Sequence, residues 1–442
     1  MINLRALRQK TAFKATAPSI LLVINSFVWY IFTYAVYSPI VSELETEKLV
    51  LFTTYYVSVA VSAILGAKFL TRTRAKSLSL WPFIGAIATF LLITVPGNSI
   101  LANALLALFL GASIGIGLPS CLSYFAESTT AENRGFVGGI IWSIMGFTVL
   151  IFAFLISTLG QWEIIAALTI WRLLGGAGFL VLKSKHVKSA EQKAPSYLQL
   201  IRKRQLLLYL FPWILFSIIN FAEQPVLENV FGADFFAFVQ IAEWALIGVF
   251  AIVGGVIADI AGRKRVVIIG FIMLGIEYAV MSAFSYSSVA LYLFLALDGT
   301  TWGLLFSVFF MALWGDLGEN YEKEKYYALG GLPYLLSGFL YIPIKPYASG
   351  IPTVAAFSFA SFFLFLAVIP LMYAPETLPE RILKDRDLKS YLEKAQKLVQ
   401  KETGKNKKQD IEKTKKENEE ANEETQESPE DEEARKLAEK YY

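Results

Sequence analysis

Residues that bind metals and form disulfides are almost absent from this sequence. It holds one cysteine, Cys121, and one histidine, His186, among 442 residues. A single cysteine excludes a disulfide within the chain, and one residue of each type excludes a zinc site built from several Cys and His ligands. Cys121 lies in an apolar run, as a small filler, and His186 lies in a lysine-rich loop. We therefore expect no metal, no cofactor and no enzymatic activity.

Charge is also scarce. Charged residues make up 17% of the chain and hydrophobic residues 55%, whereas soluble domains carry about 25% charge. The segment 376–442 alone holds about half of the acids and about two fifths of the bases. The preceding part therefore has the composition of a body embedded in a bilayer. The net charge of +3 is a small difference between large terms, so we expect no nucleic-acid partner.

Long apolar runs, by contrast, are plentiful. A helix needs roughly 20 apolar residues to cross a hydrocarbon core about 30 Å thick, and backbone hydrogen bonds must be satisfied within it. Six such runs, a polar pause and six more predict an all-α membrane protein with twelve transmembrane helices in two pseudo-symmetric six-helix bundles. The predicted spans are 18–39, 48–68, 77–95, 99–124, 136–158, 163–183, 205–226, 236–258, 266–287, 289–314, 327–346 and 352–373.

The distribution of basic residues predicts the orientation. Arg74 and Arg263 fall in loops on one side, whereas Glu163 and Glu228 fall in loops on the other. Because basic loops resist translocation, we expect a plasma-membrane protein with both termini in the cytoplasm. The predicted segments are a cytoplasmic N-terminal segment 1–17, an N-terminal bundle 18–183, a cytoplasmic linker 184–204, a C-terminal bundle 205–375 and a charged, partly disordered cytoplasmic tail 376–442.

The most specific motif follows span 8. There Gly255, Asp259, Gly262, Arg263 and Lys264 stand in the pattern G-x-x-x-D-x-x-G-R-K. This resembles the loop signature of the major facilitator superfamily at each fixed position. The resemblance implies the superfamily's fold and a charge latch, in which Asp259 accepts hydrogen bonds from Arg263 or from the N-terminus of helix 11. The alternative is a positively charged loop with an incidental carboxylate.

A faded copy of this motif follows span 2. Gly66 and Arg74 match it, but Leu70 occupies the acid position and Thr73 the position of the second glycine. Such a copy is expected if the two halves arose by duplication.

A second motif follows span 4. Tyr124, Glu127 and Arg134 have the spacing Y-x-x-E-x6-R, with a counterpart in Asp316 and Lys323 after span 10. The spacing is similar to that of sugar porters and related metabolite transporters of the superfamily. It implies that Glu127 and Arg134 pair with each other or with Arg74, closing the cytoplasmic rim in one state of the transport cycle.

Three acids fall deep inside predicted spans. Ionisable groups at membrane depth are costly, so Glu243, Glu277 and Asp298 are candidates for proton coupling. The superfamily's arrangement places helices 7, 8, 10 and 11 around the central cavity and helix 9 outside it. This favours Asp298 and Glu243, and it favours a structural role for Glu277.

Aromatic and amide side chains can line a cavity in which rings stack on a solute. Each ring can equally fill a helix interface or a membrane belt. The candidates for the substrate cavity are Asn25, Trp29, Tyr30, Trp142, Trp213, Asn220, Gln224, Trp302 and Tyr334.

Together these features predict a secondary active transporter. We expect a monomer that moves a small polar solute, a sugar or a related metabolite, through the lipid bilayer by alternating access and with protons. No G-x-x-x-x-G-K-[ST] loop is present, which argues against ATP as the energy source. Ala107 and Trp142 stand where sugar porters have arginine and glutamine. Three alternatives therefore stay open: a passive facilitator, an exporter of hydrophobic compounds, and a transporter-like sensor that signals through its tail.

Overall fold

The computed structural model describes residues 13–44, 47–94, 99–182, 192–379 and 429–441, with scattered positions between 382 and 415. The chain forms two units, Met1–Pro379 and Glu380–Tyr442. The first unit contains every helix long and apolar enough to cross a membrane. In the second unit, the helix Pro429–Tyr441 is strongly charged and exposed.

Twelve helices in the described part can span a bilayer, which confirms the predicted number. The first helix begins at Phe13. We label the spans α1 (Thr16–Ser42), α2 (Lys48–Phe69), α3 (Arg74–Thr94), α4 (Ile100–Ser128), α5 (Arg134–Thr158), α6 (Gln161–Leu182), α7 (Arg204–Phe231), α8 (Ala233–Ala261), α9 (Arg263–Phe284), α10 (Ser288–Leu317), α11 (Glu324–Gly350) and α12 (Thr353–Tyr373).

Two glycines with positive φ separate successive helices of the second half. Gly232 (φ 74°) ends α7 and Gly262 (φ 103°) ends α8. Only glycine adopts such a backbone without strain, so each helix stops sharply and the next begins at once. As a result α7 runs five residues beyond the predicted end at position 226, and residue 223 lies well inside the span.

Two spans depart from regular α-helix. In α4, the helix Ile100–Gly115 is followed after a short break by Leu118–Ser128, with Pro119 in the first turn of the second part. In α10, the segment Phe306–Leu313 is π-helical and fully buried. Hydropathy does not report hydrogen-bond register, so the sequence predicted both spans as uninterrupted. Short π-helical segments occur often at functional sites.

The helices form two six-helix bundles that meet along a few helix pairs. Within the first bundle, α2 packs on α4, while α6 packs on α1 and α3. Within the second, α8 packs on α10 and α12 packs on α7 and α9. The bundles meet where α5 contacts α8 and the π-helical segment, and where α11 contacts α2 and α4. This architecture confirms the predicted fold class.

Glycines allow the backbones of α5 and α8 to touch. A Cβ on Gly135 would lie 2.7 Å from the carbonyl oxygen of Gly255, and a Cβ on Gly146 would lie 2.9 Å from the Cα of Gly248. In a bilayer, where apolar side chains gain little by leaving lipid, such close contact is a main source of helix association. The close packing of α5 on α8 therefore requires glycine, which has no side chain, at these positions.

The described part of the connector between the bundles is ordered. The short helix Tyr197–Ile201 carries a capping box in which Ser196 and Gln199 bond each other's backbone amides. The Tyr197 hydroxyl donates to the Ile64 carbonyl (3.0 Å) of α2, and the Glu322 amide donates to the Gln192 carbonyl (2.9 Å). The connector thus contacts both bundles. The rest of the predicted linker, including His186, lies outside the described residues.

Candidate functional site

Buried arginines gather where α3, α5 and α9 begin. We call this end of the bundles the basic rim, defined by Arg74, Arg134 and Arg263. Each half builds its own pair there. In the first half Arg74 pairs with Glu127, and in the second the Nε of Arg263 donates to Oδ2 of Asp316 (3.0 Å). The two pairs occupy corresponding places, which agrees with the faded repeat in the sequence.

Three further contacts at the basic rim join one half to the other. Arg134 of α5 forms an ion pair with Asp316 of α10. The Nη1 of Arg74 donates to Oε1 of Glu324 (3.0 Å), which begins α11. The Nη2 of Arg263 donates to the Ala131 carbonyl oxygen (2.6 Å). Because these side chains are almost entirely buried, the rim is closed by desolvated, charge-assisted hydrogen bonds.

Asp259 caps the N-terminus of α5. Its Oδ1 accepts from the Gly135 amide (2.9 Å) and from Nη1 of Arg263 (2.5 Å), and its Oδ2 accepts from the Phe136 amide (2.6 Å). A carboxylate is well placed beside the unpaired amides and positive dipole end of a helix. The sequence predicted Arg263 or the N-terminus of α11 as the donor to Asp259; Arg263 does donate, and the helix N-terminus beside it is that of α5. The close approach of Gly135 to Gly255 brings α5 within reach instead.

The segment after α12 is tied to the same rim through Glu376. Its Oε1 accepts from the amides of Arg263 (2.8 Å), Thr377 (2.9 Å) and Leu378 (2.9 Å), and its Oε2 accepts from the Lys264 amide (3.2 Å). The Lys264 ammonium donates to the Met372 carbonyl (2.7 Å), so this lysine joins α9 to α12. Gly262 leaves room for the Glu376 carboxylate beside it.

A cavity of about 610 Å³ lies within the second half. It extends from Phe231 and Phe236, beside the turn between α7 and α8, to Phe306 and Tyr334. The candidates Asn220, Gln224, Glu243, Asp298, Trp302 and Tyr334 all line it. Four helices contribute to the wall: α7, α8, α10 and α11.

Acidic side chains from neighbouring helices converge at this cavity. Glu243 and Asp298 each lie ten residues from the start of their helix, about 15 Å into the bilayer at 1.5 Å per residue. Their carboxyl groups are neighbours, and Glu277 of α9 adjoins both. Glu277 is completely buried, and its carboxyl oxygens have no partner besides the neighbouring Asp298 carboxyl. No lysine or arginine forms an ion pair with these acids in the described ranges.

Stacked rings separate the cavity from the basic rim. Trp142 of α5 stacks on Phe306 with ring centroids 4.1 Å apart, and Trp213 of α7 stacks on Phe309 at 4.5 Å. Phe306 and Phe309 belong to the π-helical segment of α10. The predicted cavity residues Trp142 and Trp213 thus form an aromatic floor, together with these two rings, and do not line the cavity wall.

Asn25 and Trp29 share a helix face, as predicted, but they point into the first bundle. Arg172 of α6 donates from Nη1 to Oδ1 of Asn25 (2.7 Å), and its guanidinium lies 4.4 Å from the ring centroids of Trp29 and Trp81. Neither Asn25 nor Trp29 lines the cavity described above, because this face of α1 packs on α3 and α6. Tyr30, which follows Trp29, is a neighbour of Tyr334 from the second half.

Comparison with known proteins identifies the family. Residues 19–311, about two thirds of the chain, match the family model described as Major Facilitator Superfamily. The chain belongs to the major facilitator superfamily. It is accordingly a multi-pass membrane transporter. No curated protein sequence is significantly similar to it.

Solved structures of this superfamily share the fold. One is the proton:xylose symporter XylE bound to 6-bromo-6-deoxy-D-glucose, with TM-score 0.59 and 15% identity over 84% of this chain and 97% of that one. Another is the fucose:proton symporter FucP of E. coli, with TM-score 0.63 and 10% identity over 83% of this chain and 98% of that one. At these identities the likeness shows the fold alone.

Sequence reasoning missed three charged residues in this major facilitator protein. Glu223 lies on α7, with a buried carboxyl oxygen that has no partner, and Glu324 closes the basic rim. Arg172 is wholly buried, and within the described ranges no carboxylate pairs with it. A charged side chain inside an apolar span is costly, and this cost could have identified Arg172 and Glu223 as functional candidates. The predicted span ended at position 226, so Glu223 was placed near its end rather than inside the membrane.

Lys323, just before α11, occupies the place that the sequence matched to Arg134. Its ammonium group donates to the Glu319 carbonyl (3.2 Å), and among the residues that the structure describes it forms no ion pair with an acid of the first half. Burial lowers the pKa of its ammonium group, and the nearby positive charge of Arg134 adds to this effect. Arg134 therefore forms an ion pair with the other half, whereas its counterpart Lys323 does not.

Proposed function

We propose that this chain is a proton-coupled secondary transporter of a small polar solute, a sugar or a related metabolite. The observation that carries the proposal is the cavity in which Glu243 and Asp298 stand beside amide and aromatic side chains. Amides of Asn220, Gln224 and Gln240 offer donors and acceptors, and the rings offer stacking surfaces. The names of the two symporters that share the fold supply the precedent for sugars and protons.

Asp298 and Glu243 are the proposed proton carriers. Like charges in contact and away from water cannot all be ionised, so neighbouring carboxyl groups share protons. Asp298 has Glu243 and Glu277 as acidic neighbours and lies on the cavity wall, where solute and proton can influence one another. Glu277 lies behind it on α9 and supports the shared proton without reaching the solute.

The cycle proposed is alternating access by a monomer in the plasma membrane. The basic rim is closed by contacts between the halves, whereas α1 and α7 make few or no contacts with each other. Breaking the rim contacts and forming new ones at the opposite rim would carry the solute across. The basic residues at this rim favour a cytoplasmic location for it, and hence for both termini.

The test compares Asp298→Asn with Asp234→Asn in proteoliposomes. A thermal-shift screen over sugars, organic acids, amino acids and cationic compounds first supplies a solute. We expect Asp298→Asn to abolish accumulation driven by a pH gradient while solute counterflow continues, because an amide cannot exchange a proton. Asp234 is an exposed acid at the start of α8, so its amide variant should accumulate solute as the unaltered chain does.

Two results would contradict the proposal. Undiminished accumulation by Asp298→Asn would remove this residue from the coupling. Counterflow without any pH-driven accumulation in the unaltered chain would identify a passive facilitator instead.

A further inference from the structure

The walls of the cavity are unusually rich in aromatic rings. Eight of its sixteen lining residues are Phe, Trp or Tyr. Trp302 lies at 4.6 Å from Phe306 and at 5.6 Å from Tyr334 between ring centroids, so three rings form one corner. Phe294, Phe231 and Phe236 surround the outer part. An enclosure of this kind binds cations through the negative faces of the rings.

The charged groups at the cavity are all acids. Asp298 of α10 faces Glu243 of α8 and Glu277 of α9, and Glu223 of α7 lies in the same region around Tyr278. Tyr334 of α11 completes the titratable groups on the helices that surround Asp298. Within the described ranges no basic side chain lines the cavity.

Two of these acids are incompletely satisfied. Both carboxyl oxygens of Glu277 are buried and have no partner besides the neighbouring Asp298 carboxyl, and Oε2 of Glu223 is buried without a partner. Glu277 is wholly buried and adjoins Asp298 on the cavity wall. Buried polar atoms without partners are rare in native structures and call for a missing group. A positive charge in the cavity would offset the negative charge of this group of acids through Asp298 and Glu243, which lie on the wall.

We propose that the transported solute is a small organic cation, an amine or quaternary ammonium compound. The inference rests on the proposed function and narrows its polar solute to one with a positive charge. A negatively charged solute would meet acids without a compensating base. A neutral sugar would use the amides and rings but not the negative charge of the acids. A bare metal ion would need several ligand side chains, and no metal-binding group of three such side chains occurs among the described residues.

Charge balance then links the solute to the proton. In the empty cavity, the neighbouring carboxyl groups share protons, which offset their mutual repulsion. A bound cation supplies that positive charge itself, so its entry releases a proton from the Asp298 and Glu243 pair. Solute and proton therefore exclude each other, and the carrier exchanges one for the other across the membrane.

A matched pair of probes tests the inference on the unaltered, purified chain. Choline and 3,3-dimethylbutan-1-ol have the same shape, but carbon replaces the charged nitrogen in the second. We expect choline, or tetraethylammonium as a larger cation, to bind at least about tenfold more tightly than the neutral alcohol by calorimetry. Binding of the cation should release a proton, seen as a dependence of the binding heat on the buffer's ionisation enthalpy.

Variants locate the site. Glu243→Gln and Asp298→Asn should each lose the preference for choline and the proton release, whereas Asp234→Asn should keep both. Equal binding of choline and the neutral alcohol, no binding of either cation, or cation binding without proton release would overturn the inference. Proton-driven uptake of a neutral sugar would overturn the inference while leaving the proposed function intact, so the two failures are distinguishable.

Discussion

Asp316 is the carboxylate that pairs with one arginine from each half at the basic rim. It binds Arg263 within its own half and Arg134 from the other half, and it is buried. Arg263 keeps Asp259 as a second carboxylate partner, whereas Arg134 has no acidic partner besides Asp316 among the residues that the structure describes. Loss of the Asp316 carboxylate would therefore leave Arg134 buried without a negative charge beside it.

Replacing Asp316 with asparagine should favour opening of the rim. Removal of one partner from a buried pair costs about 3 kcal/mol, which changes the ratio of closed to open forms by about a hundredfold. Spin labels at Lys76 and Arg265, both exposed and in different halves, would report the change as a longer interspin distance by pulsed electron paramagnetic resonance. The buried Cys121 is first replaced by alanine to leave no other thiol.

Glu319→Gln is the control for this experiment, because Glu319 is an exposed acid three residues from Asp316. It should leave the distance distribution unchanged. If Asp316→Asn also leaves it unchanged, the ionic contacts do not determine the closure of the rim.

The motif residues show how far sequence reasoning reaches at single positions. The pairing of Asp259 with Arg263 follows from their separation by four residues and from the motif. The capping of α5 by Asp259 could not be predicted, because it depends on which helices meet across the halves. Likewise, nothing in the sequence distinguishes Asn25 and Trp29, which hold Arg172, from residues that line the cavity.

Among the helices, α5 and α8 pack most closely on each other. A methyl group on Gly255 would collide with the carbonyl of Gly135, which is backbone and cannot swing aside. By contrast, a methyl group on Gly331 of α11 would meet only Leu335, at an ordinary contact distance of 3.9 Å. These two glycines therefore allow the same substitution to be compared in a tight and an open setting.

Gly255→Ala should destabilise the protein, and Gly331→Ala should not. Overpacking of a tight interface costs about 1–3 kcal/mol, whereas alanine is the better helix former at an open position. Thermal unfolding in detergent, followed by tryptophan fluorescence, measures both. A melting temperature for Gly255→Ala equal to that of Gly331→Ala would show that the packing of α5 on α8 relaxes without cost.

Hydropathy predicted the number and order of the spans, because the bilayer imposes a length and an apolar composition on each. It did not predict the π-helical segment of α10. The Tyr327 hydroxyl donates to the Met311 carbonyl (2.7 Å) within that segment, so a distant side chain helps to satisfy the altered backbone. Such a contact arises only after the helices have packed.

For the molecule as a whole, removal of the charged tail distinguishes a carrier from a sensor. Residues from Lys405 onward are rich in charge and contribute nothing to the spans. Glu376, in contrast, bonds four backbone amides at the start of α9 and after α12. Glu376 therefore helps to hold the basic rim together, whereas the residues from Lys405 onward form no part of the spans.

Deletion of 405–442 should leave solute uptake in proteoliposomes unchanged, since transport requires the bundles alone. Glu376→Gln, with the full tail kept, should reduce uptake, because an amide is a poorer acceptor for helix N-terminal amides than a carboxylate. Loss of uptake on deletion of 405–442 would give the tail a part in the transport cycle. Absence of uptake in the unaltered chain would support the sensor.

The aromatic floor formed by Trp142, Trp213, Phe306 and Phe309 also affects how easily protons could cross the protein. The stacked rings provide no continuous path of hydrogen-bonding groups along which a chain of water molecules could form. Under the proposed proton coupling, this apolar layer would limit proton leak while the contacts of the basic rim are briefly broken. The gradient that drives transport would then be spent on the solute alone.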